Sequence, residues 1–192
     1  MKRLLASSVL ALGLFSSAAV VQADDYTIDN QGMHASINFR IQHLGYSWLY
    51  GRFNDFGGSF SYDETKPDTS KVEVTIKTTS VDSNHAERDK HLRSGDFLEV
   101  EKFPEAKFVS TAYKPNGDGT GTLSGDFTLK GVTKPLDIKV REIGAGKDPW
   151  GGFRRGFEGS AKFALADYGI TTDLGPASKE VELILSIEGV KK

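Results

Sequence analysis

Apolar and polar residues alternate with a period of two along most of this chain, and no other feature constrains the fold as much. Ala35, Ile37, Phe39 and Ile41 alternate with Ser36, Asn38, Arg40 and Gln42. The same rhythm runs through Val72–Lys77, Leu123–Lys130, Leu136–Arg141, Phe157–Leu165 and Val181–Glu188. Each segment predicts a strand with one dry face and one wet face. About eight or more such strands must cover their dry faces. A closed antiparallel barrel does so and also removes the unpaired edges that a sandwich leaves. The predicted fold class is therefore all-β: an extended antiparallel barrel of about eight strands.

Less regular segments join these strands. Leu49–Phe53 and Phe56–Tyr62 are aromatic-rich, and their phase slips at Asn54-Asp55, which predicts a turn or bulge. Ala106–Tyr113 is strand-like with apolar residues on both faces. Pro115–Gly119 has turn composition, and Lys130–Pro135 reads as a tight hairpin connection. One stretch breaks the rhythm. Asn84–Leu92 is charged and free of Gly and Pro, with Asn84 placed to cap a short helix and Glu87 three residues on to complete a capping box. A further turn is expected around Ser94–Leu98.

The dry faces mix Phe with small residues, as in Phe157-x-Gly159-x-Ala161-x-Phe163 and Gly121-x-Leu123-x-Gly125-x-Phe127. Inward small residues leave room for a ligand, or they permit tight coiling at a barrel corner. The pattern alone leaves both readings open.

The first residues are not read as part of the fold. Lys2 and Arg3 precede an apolar run to Val21, and Val21-Gln22-Ala23 offers small or short side chains where a signal peptidase cuts. Cleavage after Ala23 is expected, so residues 1–23 form a leader and residues 24–192 one domain. The remaining 169 residues carry 22 basic and 26 acidic side chains, a net charge of −4. That balance argues against nucleic acid as a partner, and no later run reaches membrane-spanning length. The chain has no cysteine, which excludes disulfides, thiolate metal sites and cysteine nucleophiles.

Catalytic motifs are not apparent. His34, His43, His85 and His91 lack metal-ligand spacing, and no nucleophile elbow occurs. His43 continues the dry-face register of Ile37, Phe39 and Ile41, which makes it the one candidate acid/base group. The aromatic stretch Leu44–Gly51 is too apolar for an idle turn. Trp48 is expected to plug the core, and Tyr46 and Tyr50 are left unassigned.

Longer motifs carry a resemblance. HLGYSWLYG at 43–51, SVDSNHAERDKHLRSGDFL at 80–98, GVTKP at 131–135, DPWGG at 148–152, GFEG at 156–159 and DLGPAS at 173–178 are similar to the YceI-like (UPF0312) proteins. The resemblance implies a lipocalin-like barrel in a periplasmic or secreted protein. It also implies a polyisoprenoid, isoprenoid quinone or long-chain amphiphile inside, no cofactor beyond that ligand, no established catalytic residues and a homodimer. It turns the open question about small residues toward a cavity.

The expected function is a non-catalytic binding or carrier protein for a long-chain isoprenoid lipid or quinone in the periplasm. The alternatives are an enzyme or redox partner acting on an isoprenoid quinone, and an interaction protein with a solid barrel. The tail is expected along Phe39, Ile41, Phe60, Ile76, Leu123, Phe127, Phe157, Phe163 and Leu185, all large apolar residues on dry faces. Asn84, His85 and Arg88 are the expected head-group contacts, and no metal ligands are expected.

Overall fold

The computed structural model describes residues 23–32 and 34–192. All but the last residue of the expected leader lies outside the described residues. Among the described residues, eleven strand segments form one antiparallel sheet. They are β1 (Asp24–Ile28), β2 (Ser36–His43), β3 (Ser47–Phe53), β4 (Phe56–Tyr62), β5 (Lys71–Lys77) and β6 (Val81–Asp82). After helix α1 (Ala86–Arg93) come β7 (Glu105–Pro115), β8 (Thr120–Leu129), β9 (Val132–Lys147), β10 (Phe153–Ala164) and β11 (Glu180–Lys191).

The register shows that six of these segments are halves of three long staves. β11 pairs with β1 through Gly189–Lys191 and with β2 through Val181–Ser186, so β1 and β2 lie end to end along one neighbour. β4 pairs with β1 while β3 pairs with β2. β5 follows β4 and β6 follows β3 in the same way. The three composite staves and β7 to β11 make a closed, sequentially ordered barrel of eight, in line with the expected architecture. Closure leaves no long free edge.

Inward residues follow the alternation. Ile37, Phe60, Val74, Ile76, Phe108, Leu123, Phe127, Leu136 and Ile138 are all buried. β7, with apolar residues on both faces, is explained by a bulge between Ser110 and Ala112. Before it Ala106 and Phe108 point inward, and after it Tyr113 takes that face. The phase slip at Asn54-Asp55 is the break between β3 and β4.

Several local expectations need correction. The hairpin turn after β8 is only Lys130-Gly131, both with positive φ, and Pro135 already pairs with Asp126 inside β9. Such a two-residue turn matches the twist of its strands. Helix α1 begins at Ala86, and its cap is His85, whose Nδ1 accepts the Arg88 backbone N–H at 3.3 Å. Asn84 sits at φ 63, and its N–H donates to Asp82. It makes the turn before the cap rather than the cap itself. Trp48 is 42% exposed, with the Arg40 guanidinium 4.3 Å over its ring. Ile41 and Leu49 face inward across the β2–β3 ladder, so Trp48, opposite Gln42, points out.

An ion-pair cluster fastens the seam near β1, β10 and β11. Arg154 donates to Asp29 at 2.5 Å, Glu188 at 2.6 Å and Asp148 at 2.9 Å. Asp29, His34 and Glu188 bring potential ligand atoms within 4.8 Å of one another. Arg154 already holds the two carboxylates, which marks the group as structural. The hydrogen bond with His34, and then Arg154, hold the Asp29 carboxyl down at about 2. A group depressed on folding contributes stability at neutral pH, and that contribution is lost as pH falls from 3.8 toward about 2. Asp29→Asn is expected to be less stable than the parent at neutral pH and to lose less stability across that window. Urea midpoints measured for both proteins down to about pH 2 check this. Parallel loss in both proteins would remove Asp29 from the account.

Candidate functional site

The inward faces enclose a cavity of about 590 Å³, within the range of sites for small amphiphiles. Phe39, Ile41, Phe60, Ile76, Leu123, Phe127, Phe157, Phe163 and Leu185 all lie on its wall. They reach it from six different strands because each repeats the two-residue phase of its own segment. Two aromatic groups bracket the space. Toward α1, Phe127 meets Phe163 at 5.5 Å and Tyr168 at 5.4 Å between ring centroids. At the opposite end Phe60 stacks on Tyr26 at 4.7 Å, and Phe157 meets both Phe60 and Tyr62 at 5.6 Å.

The inward glycines work differently from either expectation. They are neither unfilled space nor simple corners, because rings lie against several of them. The Phe39 ring covers Gly51, and the Phe108 ring covers Gly125. The Tyr113 ring covers Gly121, where an added Cβ would sit 2.6 Å from it. A ring laid flat on the wall occupies the volume that a side chain would have taken, and the lumen beyond it stays free. Alanine at any of these three positions would push a ring into the cavity.

The upper end is covered by α1 and by the segment between β10 and β11. Asp89 is buried and accepts from the Ser83 N–H at 2.7 Å and the Ser83 hydroxyl at 2.5 Å. Arg93 donates to the carbonyls of Thr79 and Val81. Thr172 donates to the Asp96 carbonyl, and the Ser178 hydroxyl donates to the Gln42 carbonyl. These bonds hold the cover against the rim. His43, Leu44, Arg88, His91 and Asp173 line the cavity at this end, and His43 and Leu44 are also exposed, so the cavity reaches the surface here.

The expected head-group contacts are only partly placed there. Arg88 lines the cavity, but its guanidinium already donates to the hydroxyl and carbonyl of Ser83. Asn84 and His85 are exposed and lie off the cavity wall. The reason is the helix start: His85 turns its ring back to cap α1, and Asn84 occupies the preceding left-handed turn. His43 does reach the rim as its register predicts. Residues that the sequence did not single out complete the wall, among them Leu92 and Phe97 near α1 and Tyr62 and Tyr113 at the far end. Tyr62 was within reach, since it continues the inward phase of Phe60. Tyr113 was not, because the bulge in β7 resets its phase.

Comparison with known proteins places the chain. The model of the YceI-like domain matches residues 26–189. A UPF0312 protein of Pseudomonas aeruginosa is 60% identical over 192 residues, with all of both chains covered. The crystal structure of a Campylobacter jejuni YceI protein superposes with a TM-score of 0.72 at 28% identity, over 79% of this chain and 90% of that one. A polyisoprenoid-binding domain from Saccharophagus degradans, implicated in plant cell wall breakdown, superposes with a TM-score of 0.63 at 14% identity. That match covers 87% of this chain and 98% of the other. On a match that spans almost the whole barrel and on this degree of identity, the chain belongs to the YceI-like domain family.

Proposed function

We propose that this protein is a periplasmic, non-catalytic carrier that holds the tail of a long isoprenoid lipid inside its barrel. The observation that carries the reading is a lumen of about 590 Å³ whose wall is almost entirely aliphatic and aromatic. A prenyl chain presents branched methyl groups and makes no hydrogen bonds, so burial and dispersion are the forces available to bind it. Each apolar Å² removed from water contributes about 25 cal/mol, less the entropy of fixing a flexible chain. The likeness to a fold neighbour described as a polyisoprenoid-binding domain supports the same ligand class. The leader of residues 1–23, its cleavage after Ala23 and export to the periplasm belong to this proposal.

Affinity is expected to rise with the number of isoprene units until the lumen is full, then level off. It should change little with ionic strength, because no charged contact supplies the main free energy. Titrating the delipidated protein with prenols of increasing length, at low and high salt, checks both. Affinity that is flat with length, or that collapses with salt, contradicts the reading.

A second reading has one observation in its favour. An enzyme or redox partner for an isoprenoid quinone needs a group that moves protons at the ring, and His43 reaches the cavity rim. Quinone recovered chemically unchanged from the loaded protein after prolonged incubation supports carriage. Conversion that His43→Ala abolishes supports the enzyme.

A further inference from the structure

The end of the cavity farthest from α1 carries polar groups that an apolar tail does not need. Ser70 Oγ is buried and finds no hydrogen-bond partner in the protein, the one such side-chain atom among the described residues. Ser70 lines the cavity together with Tyr62 and Tyr113. The ladder explains the grouping. Phe60 lies opposite Val72 and Ser61 opposite Lys71, so the next step sets Tyr62 beside Ser70 on the inward face. Tyr113 arrives from β7 beyond its bulge, its ring resting on Gly121. A buried hydroxyl without a partner destabilises the protein that carries it, and native structures resolve such groups with a water or a ligand atom.

The surrounding charge selects the kind of ligand atom. The Arg155 guanidinium is buried at this end, 4.4 Å from the Tyr62 ring, and is bound by both Glu64 and Glu142. Two carboxylates around one cation leave excess negative charge. Burial first, and then Glu142, push the phenols of Tyr62 and Tyr113 above their ordinary range, and at Tyr62 they prevail over the opposing pull of Arg155. Both phenols are therefore protonated donors at neutral pH, and an anion brought here would face the same carboxylate that disfavours phenolate.

We infer that Ser70, Tyr62 and Tyr113 form a subsite for an uncharged oxygen head group, so that the lipid lies head-inward with its tail toward α1. An alcohol, a phenol or a quinone carbonyl meets the requirement, and a prenyl phosphate does not. The inference rests on the isoprenoid reading of the cavity and adds the orientation and head-group class. It also moves the head away from the rim, where Arg88 is already committed to Ser83.

The test compares three ligands with the same tail, namely farnesol, farnesene and farnesyl monophosphate, on the delipidated protein. Farnesol is expected to bind about tenfold more tightly than farnesene, with the monophosphate weakest. Ser70→Ala should bring farnesol close to farnesene while leaving farnesene unchanged. The same substitution should raise the Tm of the ligand-free protein by about 2 °C, because it deletes an unpartnered hydroxyl. Tyr113→Phe, which removes only an oxygen, should also narrow the preference. Equal binding of farnesol and farnesene by the parent, or a ratio untouched by Ser70→Ala, overturns the subsite and leaves the isoprenoid reading standing. Failure of both farnesol and farnesene to bind overturns the isoprenoid reading, and the subsite with it.

Discussion

Phe127→Glu is expected to abolish lipid retention and to cost more than about 4 kcal/mol of stability, the range reserved for an unpaired charge or polar group forced into a core. Phe127 is 5% exposed and sits on the cavity wall between Phe163 and Tyr168. Of its neighbours across the ladders, Phe108 is apolar, and Lys134 is exposed and lies off the cavity wall. A carboxyl placed there must stay neutral or unfold the barrel. Phe127→Leu keeps an apolar surface and should cost about 1 kcal/mol, with weaker binding of the tail. Equilibrium unfolding and extraction of co-purified lipid read out both variants. A folded Phe127→Glu protein holding a full complement of lipid would show that this face of β8 is not the inside of the site.

Tyr168→Ala is expected to cost about 3–5 kcal/mol and to lower Tm by roughly 10 °C. The side chain is 1% exposed and meets Phe127 and Phe163 edge to face, at 5.4 and 5.1 Å. It also anchors the segment that crosses the cavity rim, for it lies in the short 3₁₀ turn Leu165–Tyr168 immediately before that crossing. Removing the ring opens a void between β8, β10 and the cover, and little can collapse into a closed barrel. Tyr168→Phe should cost less than about 1.5 kcal/mol, which separates the ring from the hydroxyl. Thermal melts of the two variants decide the matter. Equal destabilisation would assign the effect to the hydroxyl instead.

The wall of the cavity was legible because one rule produces it. A strand in a closed barrel must turn every second residue inward, so phase alone carried Phe39, Ile76, Phe127 and Leu185 to the lumen. Strand number followed from the same counting, although the interruptions that split three staves were visible only as a phase slip at Asn54-Asp55. The first segment, Asp24–Ile28, has just two inward residues, Tyr26 and Ile28. Two positions are too few to establish a period, so alternation does not reveal it as a strand.

Features outside the alternation were harder to see. Trp48 was expected inside on hydrophobicity, although its phase against Leu49 and Phe53 points outward, and phase prevails in a ladder with fixed register. Asn84 has the composition of a helix cap, but a residue at φ 63 cannot serve as one, and the ring of His85 took the role. The polar far end depends on where a bulge resets β7 and on a serine in a connecting segment. Neither has a sequence signature, because each depends on what the neighbouring strand brings opposite.

The central claim is that the lumen holds a prenyl chain, and native mass spectrometry tests it most directly. The protein is recovered from the periplasm under gentle conditions, weighed intact, and its ligand extracted and weighed separately. The predicted result is a one-to-one complex whose extracted ligand carries a polyprenyl tail and an uncharged head. Protein recovered without ligand that also fails to take up added solanesol would contradict the claim.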